Sequence, residues 1–213
     1  IPSIVPDPLT SDAIMYLINA IYFKANWASR FDKALTLSGP FQLSGGGSVP
    51  VPLMRTDKPI NVLMASGDGA SAIDLAYGGG AYSMLIILPH QGRSLDSLAA
   101  GMTSAAWSGW IAALDSSAMD VVMPRFTLRY DLDSVIPVLR QLGMTATFCE
   151  EGDPRTDFTR LHPPGGACIS AVKHKTFVLV DEAGTEAAAA TSVEIGPTSA
   201  PEAFVVDRPF IFA

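Results

Sequence analysis

The chain has 213 residues, 48% of them hydrophobic and 16% charged, enough apolar material for a sizeable core and too much for an intrinsically disordered chain. Fourteen Lys and Arg against twenty-one Asp and Glu leave a net charge of −7, which argues against nucleic-acid partners held by a net basic surface. Apolar runs such as Met84 to Leu88 are far shorter than the ~20 residues of a membrane-spanning helix, so no membrane partner is expected.

The chain opens IPSIVPDPLT, with neither an initiator Met nor a signal-peptide pattern, and stops at Ala213 inside a run that reads as a strand. Both ends read as breaks in a longer chain. From Asp12 to Trp27 the sequence is apolar on both faces and rich in Ile, Tyr and Phe, which suits a buried central strand, with a buried helix as the alternative. Short strands are expected around Phe41 and over Val49 to Met54, Asn61 to Met64, Ala72 to Tyr77 and Tyr82 to Leu88. Turns at Gly45 to Ser48 and Gly78 to Gly80 punctuate them. That spacing indicates antiparallel sheet. From Ser94 to Leu114, Leu95, Leu98, Met102, Ala106, Trp110 and Leu114 recur at helical spacing, so one or two helices are expected, with Trp107 and Trp110 in the core. A long strand interrupted by Pro124 is expected over Asp120 to Tyr130, then a short helix over Asp133 to Leu142 with Ser134 near its cap and Gly143 at its end. Glu150 to Gly166 reads as a loop, and Cys168 to Val180 as a strand.

Motifs for common chemistries are missing. There is no G-x-S-x-G, Walker A, G-x-G-x-x-G or H-E-x-x-H, so neither a hydrolase nor a nucleotide or metal enzyme is indicated, and no cofactor or metal site is assigned. The acidic residues Glu150, Glu151, Asp153 and Asp157 lack the spacing of a calcium loop and read as a solvated face. Cys149 and Cys168 have no metal-ligand spacing, and two cysteines make no disulfide framework, so the redox compartment stays open. His90 and His162 sit beside prolines in turn-like sequence. His174 alternates with Val172, Thr176, Val178 and Val180, and Asn19 with Met15, Leu17, Ile21 and Phe23. Each places a polar group on a largely apolar face, where a hydrogen-bond partner is required; neighbouring strands would let the two satisfy each other.

Residues 181 to 213, DEAGTEAAAATSVEIGPTSAPEAFVVDRPFIFA, are the most informative. Propensity alone would make Glu186 to Ala190 a helix and Ser192 to Glu202 an exposed loop, which reads as a linker before a last strand. The residues themselves resemble something more specific. Asp181 to Thr191 resembles the reactive-loop hinge of inhibitory serpins, and Phe204 to Phe212 resembles their C-terminal signature. Leu17 to Trp27 with Phe31-Asp32 resembles the third strand of serpin sheet A. His174-Lys175 and Leu142-Gly143-Met144 with Asp157-Phe158 follow in family order.

The resemblance covers essentially all of residues 1–213 and implies a partial serpin domain: an α+β fold of mostly antiparallel sheets, a few helices and an exposed reactive-centre loop at 183–203, with its hinge at 183–191. The N-terminal half and the strand after Ala213 would be absent. It further implies suicide-substrate inhibition of a serine protease, with cysteine proteases as a second target class and a monomer as the state of the inhibitor. The cleaved loop would insert as a strand into sheet A. Alternation in that strand would turn Thr185, Ala187, Ala189 and Thr191 inward and Glu186, Ala188 and Ala190 outward. Small inward side chains enter a closing gap without overpacking, and Gly184 accepts the backbone change of a hinge. Family spacing counted from Gly184 and from Pro209 places the reactive bond at Thr198-Ser199. Thr198 behind Pro197 suits an elastase-like or subtilisin-like protease, and no Lys or Arg lies between Glu182 and Arg208 to suit a trypsin-like one. Asn19 and His174 resemble the shutter pair, and Trp27 the breach tryptophan, where Glu182 would pair with Arg125; a purely structural role is open for each. The other readings are a non-inhibitory serpin acting as carrier or chaperone, an inactive truncated serpin, and an unrelated α+β domain ending in an Ala-rich linker.

Overall fold

The structure is a computed structural model that describes residues 18–19, 23, 25–67, 69–132, 135–149, 156–185 and 202–213. The chain divides into two compact units, one from Ile1–Tyr22 and Thr127–Val178, the other from Phe23–Phe126 and Leu179–Ala213.

The second unit is built on an eight-stranded sheet. Its strands are β3 (Asp32–Gln42), β4 (Ser48–Arg55), β5 (Ile60–Gly67), β6 (Ala70–Tyr77), β7 (Tyr82–Pro89), β8 (Asp115–Pro124), β12 (Ala203–Val205) and β13 (Ile211–Phe212). They run in the order β13-β7-β6-β5-β8-β4-β3, with β12 parallel on β8 and the other pairs antiparallel. All five strands expected between Phe41 and Leu88 form, joined by turns at the glycine clusters.

In β7 the residues from Met84 to Leu88 are all buried, because both of its faces are covered. Leu85 and Ile87 belong to a cluster with Ala65, Ala70 and Ala72, against which Leu98, Met102, Trp107 and Trp110 pack. Those four come from α1 (Leu95–Ala100), α2 (Ser104–Ala113) and the link between the two helices. Ser94 and Thr103 cap the helices, each side chain accepting a hydrogen bond from the first-turn backbone, so the periodicity and the start signals in this stretch both form. Pro124 ends β8, and Phe126 opens β9 (Phe126–Leu132), the interruption expected there. Phe126, Phe210 and Phe212 then gather, with ring centroids 5.5–6.1 Å apart.

The three-stranded sheet, represented in the first unit, has the order β1-β10-β9, where β1 is Ile18–Asn19 and β10 is Lys173–Val180. β1 and β10 are parallel, in the register Ile18 to Lys173 and Asn19 to His174. The helix expected after β9 is α3 (Ile136–Gln141); its first residue follows Val135, which makes no side-chain cap, and Gly143 (φ 96°) closes its end. Ser134, the expected cap, lies outside the described residues.

One expectation needs correction, and the structure adds a pairing that the sequence left open. The last long strand begins at Lys173 rather than Cys168, because the preceding backbone is engaged elsewhere: Ile169 donates to the Thr147 carbonyl (2.8 Å) and accepts from Cys149 N–H (3.1 Å). The two cysteines are also not independent. Cys149 and Cys168 form a disulfide, with Cα atoms 5.0 Å apart, beside the small core of Ile136, Phe148 and Ile169.

Candidate functional site

The site is a turn, Asp181 to Gly184, that reverses the chain after β10. Asp181 and Gly184 exchange backbone hydrogen bonds (3.0 and 3.2 Å), and Asp181 Oδ1 accepts from Ala183 N–H (2.9 Å) and Gly184 N–H (3.2 Å). An Asp at the start of such a turn holds it through its own side chain. Gly184 takes φ 140°, where other residues are strained. Beyond the turn, β11 (Gly184–Thr185) runs antiparallel to β2 (Ala25–Asn26), in the register Gly184 to Asn26 and Thr185 to Ala25. The approach is so close that a Cβ on Gly184 would lie 2.2 Å from the Ala25 carbonyl oxygen.

The turn is tied to the segment after β2. Trp27 N–H donates to the Ala183 carbonyl (3.0 Å), Trp27 Nε1–H to the Asp181 carbonyl (2.9 Å), and Phe31 N–H to the Glu182 carbonyl (3.1 Å). With the bond from Asp181 N–H to Gly184, every carbonyl from Asp181 to Gly184 has a donor. Trp27 is buried. Its ring stacks on Tyr77 (4.4 Å, 12°) and meets Phe31 edge-on at 5.9 Å. The start of β11 is therefore a fixed point: moving it breaks several bonds, each with a net worth of ~0.5–1.5 kcal/mol.

Glu182 is the buried charge of the turn, only 6% exposed. Thr36 Oγ1 donates to its Oε1 at 2.7 Å, and Arg125 Nη1 lies 3.5 Å from the same oxygen. Arg125 sits between β8 and β9, and its backbone N–H is held by the Pro52 carbonyl (2.8 Å). Its side chain is 43% exposed, so water satisfies much of the guanidinium and the ion pair is worth little by itself. The shorter Thr36 bond does more to make the buried carboxylate tolerable.

Thus the structure brings Trp27, Glu182, Arg125, Gly184 and Thr185 together. Asn19 and His174 face each other in backbone register in the other sheet, and His174 Nε2 is within hydrogen-bond distance of Thr176 Oγ1 (3.0 Å). Glu186, Ala187, Ala188, Ala189, Ala190, Thr191, Thr198 and Ser199 lie outside the described residues. His90, read as a turn residue, has a partner in Ser71 Oγ at 3.0 Å. No group of three or more His, Cys, Asp or Glu able to hold a metal is found among the described residues. Sequence reasoning missed three contributors. Thr36 and Tyr77 gave no signal, because their partners are distant in sequence. Asp181 was read only as the first residue of the hinge resemblance, not as the side chain that holds the turn.

Comparisons with known proteins bear on the fold and the family. The chain is 32% identical to human Serpin B12 over 216 residues, an alignment that covers 97% of this chain and 52% of that protein. The solved structure of human thyroxine-binding globulin superposes with a TM-score of 0.81 at 28% identity, covering 96% of this chain and 53% of that one. Tengpin, a thermophilic serpin solved in its native state, gives 0.76 at 29% identity, covering 89% and 49%. The chain thus spans about half the length of the relatives it matches. The family model described as serpin, serine protease inhibitor, matches residues 1–213, and this chain belongs to the serpin family.

Proposed function

We propose that the protein inhibits serine proteases as a suicide substrate, by cleavage at Thr198-Ser199 followed by insertion of the loop into a sheet. The observation that carries this reading is the hinge. A rigid anchor ends at Thr185, and the next residues are Glu186 and four alanines. A chain fixed at one end and small-sided beyond it suits a strand that must zip into a narrow gap. The seam it would enter lies between β1 and β10, whose pairing is parallel at Asn19 and His174. An inserted strand would replace that pairing with two new ladders, one along each of its edges.

In this scheme the protease attacks the carbonyl of Thr198 and the amine of Ser199 leaves. The ester that remains is trapped when insertion outruns deacylation. The small Thr198 favours an elastase-like or subtilisin-like enzyme. The test is to mix the full-length protein with one enzyme of each kind. A complex that survives boiling in detergent, with release of a C-terminal peptide starting at Ser199, is the expected result; turnover without an adduct overturns it.

One observation favours a second reading, a ligand carrier: a solved neighbour with a TM-score of 0.81 is a thyroxine-binding globulin complexed with thyroxine. The alanines at 187–190 stand against it, since a carrier has no need of a loop able to insert.

A further inference from the structure

The Cys149–Cys168 disulfide plays no part in the scheme above, and neither cysteine lies at the hinge or the reactive bond. Its position gives it a role. Cys149 follows Phe148, the buried residue that packs with Ile136 and Ile169, and Cys168 precedes Ile169. Leu139, Phe158 and Val172 complete this small core. Beside the disulfide, two backbone hydrogen bonds form the isolated Phe148–Ile169 bridge that joins the two segments. Val172, packed against that core, accepts a hydrogen bond from Val135 N–H (3.2 Å), at the start of α3. The next residues, Lys173 and His174, are the two that pair with β1. The disulfide therefore clasps the lead-in to the β1–β10 seam. Cys168 is exposed and Cys149 half-buried, so a reductant can reach the bond without unfolding the core.

We propose that Cys149–Cys168 is a reversible thiol modification site that controls how easily the seam opens. The chemistry is exchange with a dithiol reductant. A reductant thiolate attacks the sulfur of Cys168, the more exposed residue of the pair, the S–S bond breaks, and Cys149 leaves as a thiolate that takes up a proton. The second reductant thiol then attacks the mixed disulfide and releases Cys168 as a thiol. The protein gains two electrons and two protons; the dithiol is oxidised to its own disulfide. With the clasp open, the span between the two cysteines recovers the freedom the cross-link removed, and the foot of β10 is left to the small core and its backbone hydrogen bonds. The seam-opening part of the proposal rests on the inhibitory reading; the clasp itself does not.

The test uses the full-length protein expressed in an oxidising compartment. Alkylation before reduction is expected to label neither cysteine, and after treatment with a dithiol to label both. Reduction of the folded protein is expected to lower its melting midpoint by about 5–10 °C, in keeping with a cross-link across a loop of this size. It is also expected to raise amide hydrogen exchange over residues 136–149 and 169–175 at least tenfold, and to shorten the half-life of inhibitory activity at 45 °C severalfold. The C149S/C168S variant should behave as the reduced protein; because reduction is done on folded material, failure of that variant to fold leaves the test intact. Two thiols labelled without reductant, or melting and exchange unchanged on reduction, overturn the proposal. If melting and exchange shift but no protease is ever inhibited, the clasp stands and the inhibitory reading falls.

Discussion

Replacing Gly184 with alanine is the sharpest probe of the anchor. The residue sits at φ 140°, where a side chain costs ~1–3 kcal/mol. The added Cβ would also lie 2.2 Å from the Ala25 oxygen, 2.5 Å from Asn26 Cα and 2.8 Å from Trp27 N. All three are backbone atoms of β2 and its continuation, so no side chain can rotate away. Relief requires β11 to lift from β2, which strains the two bonds from Trp27 to the Ala183 and Asp181 carbonyls, at ~0.5–1.5 kcal/mol each. The lower entropy of an unfolded alanine returns ~0.4–1 kcal/mol. The balance is a loss of ~2–5 kcal/mol, or about 10 °C in melting midpoint for a domain of this size. Thermal unfolding of the full-length protein, followed by circular dichroism, measures it. Gly79→Ala is the control, because a Cβ there meets nothing within 4 Å. A Gly184→Ala protein that melts within about 2 °C of the parent would refute the close approach from which the anchor is argued.

Glu182→Ala should cost ~1–3 kcal/mol in denaturant unfolding, because it leaves Thr36 without its charged acceptor, whereas Arg125→Ala should cost under ~1 kcal/mol; equal losses would show that the ion pair, not the hydroxyl bond, holds the carboxylate. Thr56→Val should cost ~1–3 kcal/mol, since Thr56 Oγ1 accepts the buried Val121 N–H at 3.1 Å and valine cannot; a neutral substitution would mean that β8 readily finds another partner there. Thr185→Arg should turn the inhibitor into a substrate, because an inserted strand would have to bury the guanidinium unpaired. Gel analysis should then show cleaved protein and free, active protease in place of the stable complex; an undiminished yield of complex would count against insertion.

What could be read from the sequence divides along a physical line. Strands β4 to β7, helices α1 and α2 and the break at Pro124 follow from local pattern: alternation, helical spacing, caps, and a residue without an N–H. Their order in the sheet does not. β8 lies between β5 and β4, and β13 lies on β7, through pairings that span from tens of residues to more than a hundred, and no local signal encodes them. The cysteines illustrate the same limit, since a spacing of 19 residues permits a disulfide but does not require one. The expected strand from Cys168 failed at its first five residues for a related reason: composition reports that a segment can extend, not whether its hydrogen bonds go to a ladder or, as at Ile169, to a neighbouring loop.

The hinge combines the two kinds of information. Residues 186–191 were legible as a hinge only through their resemblance to the serpin reactive loop, since composition alone reads the four alanines as a linker. Of the fixed part, Gly184, Trp27, Glu182 and Arg125 were legible through the same resemblance, but the bonds that join them were not. Holding that glycine requires Trp27, 154 residues from the Asp181 carbonyl it bonds, Thr36, 146 residues from Glu182, and a backbone approach that only a residue without Cβ permits. The two parts depend on each other physically. Without the anchor, alanines at 187–190 would form the ordinary linker their composition suggests, since a tether loose at both ends gains nothing from small side chains. Without the alanines, the proposed insertion would have no small-sided strand to follow the anchor into the seam. The functional reading therefore rests on the adjacency of a rigid turn and a small-residue run, which neither the sequence pattern nor the turn geometry supplies alone.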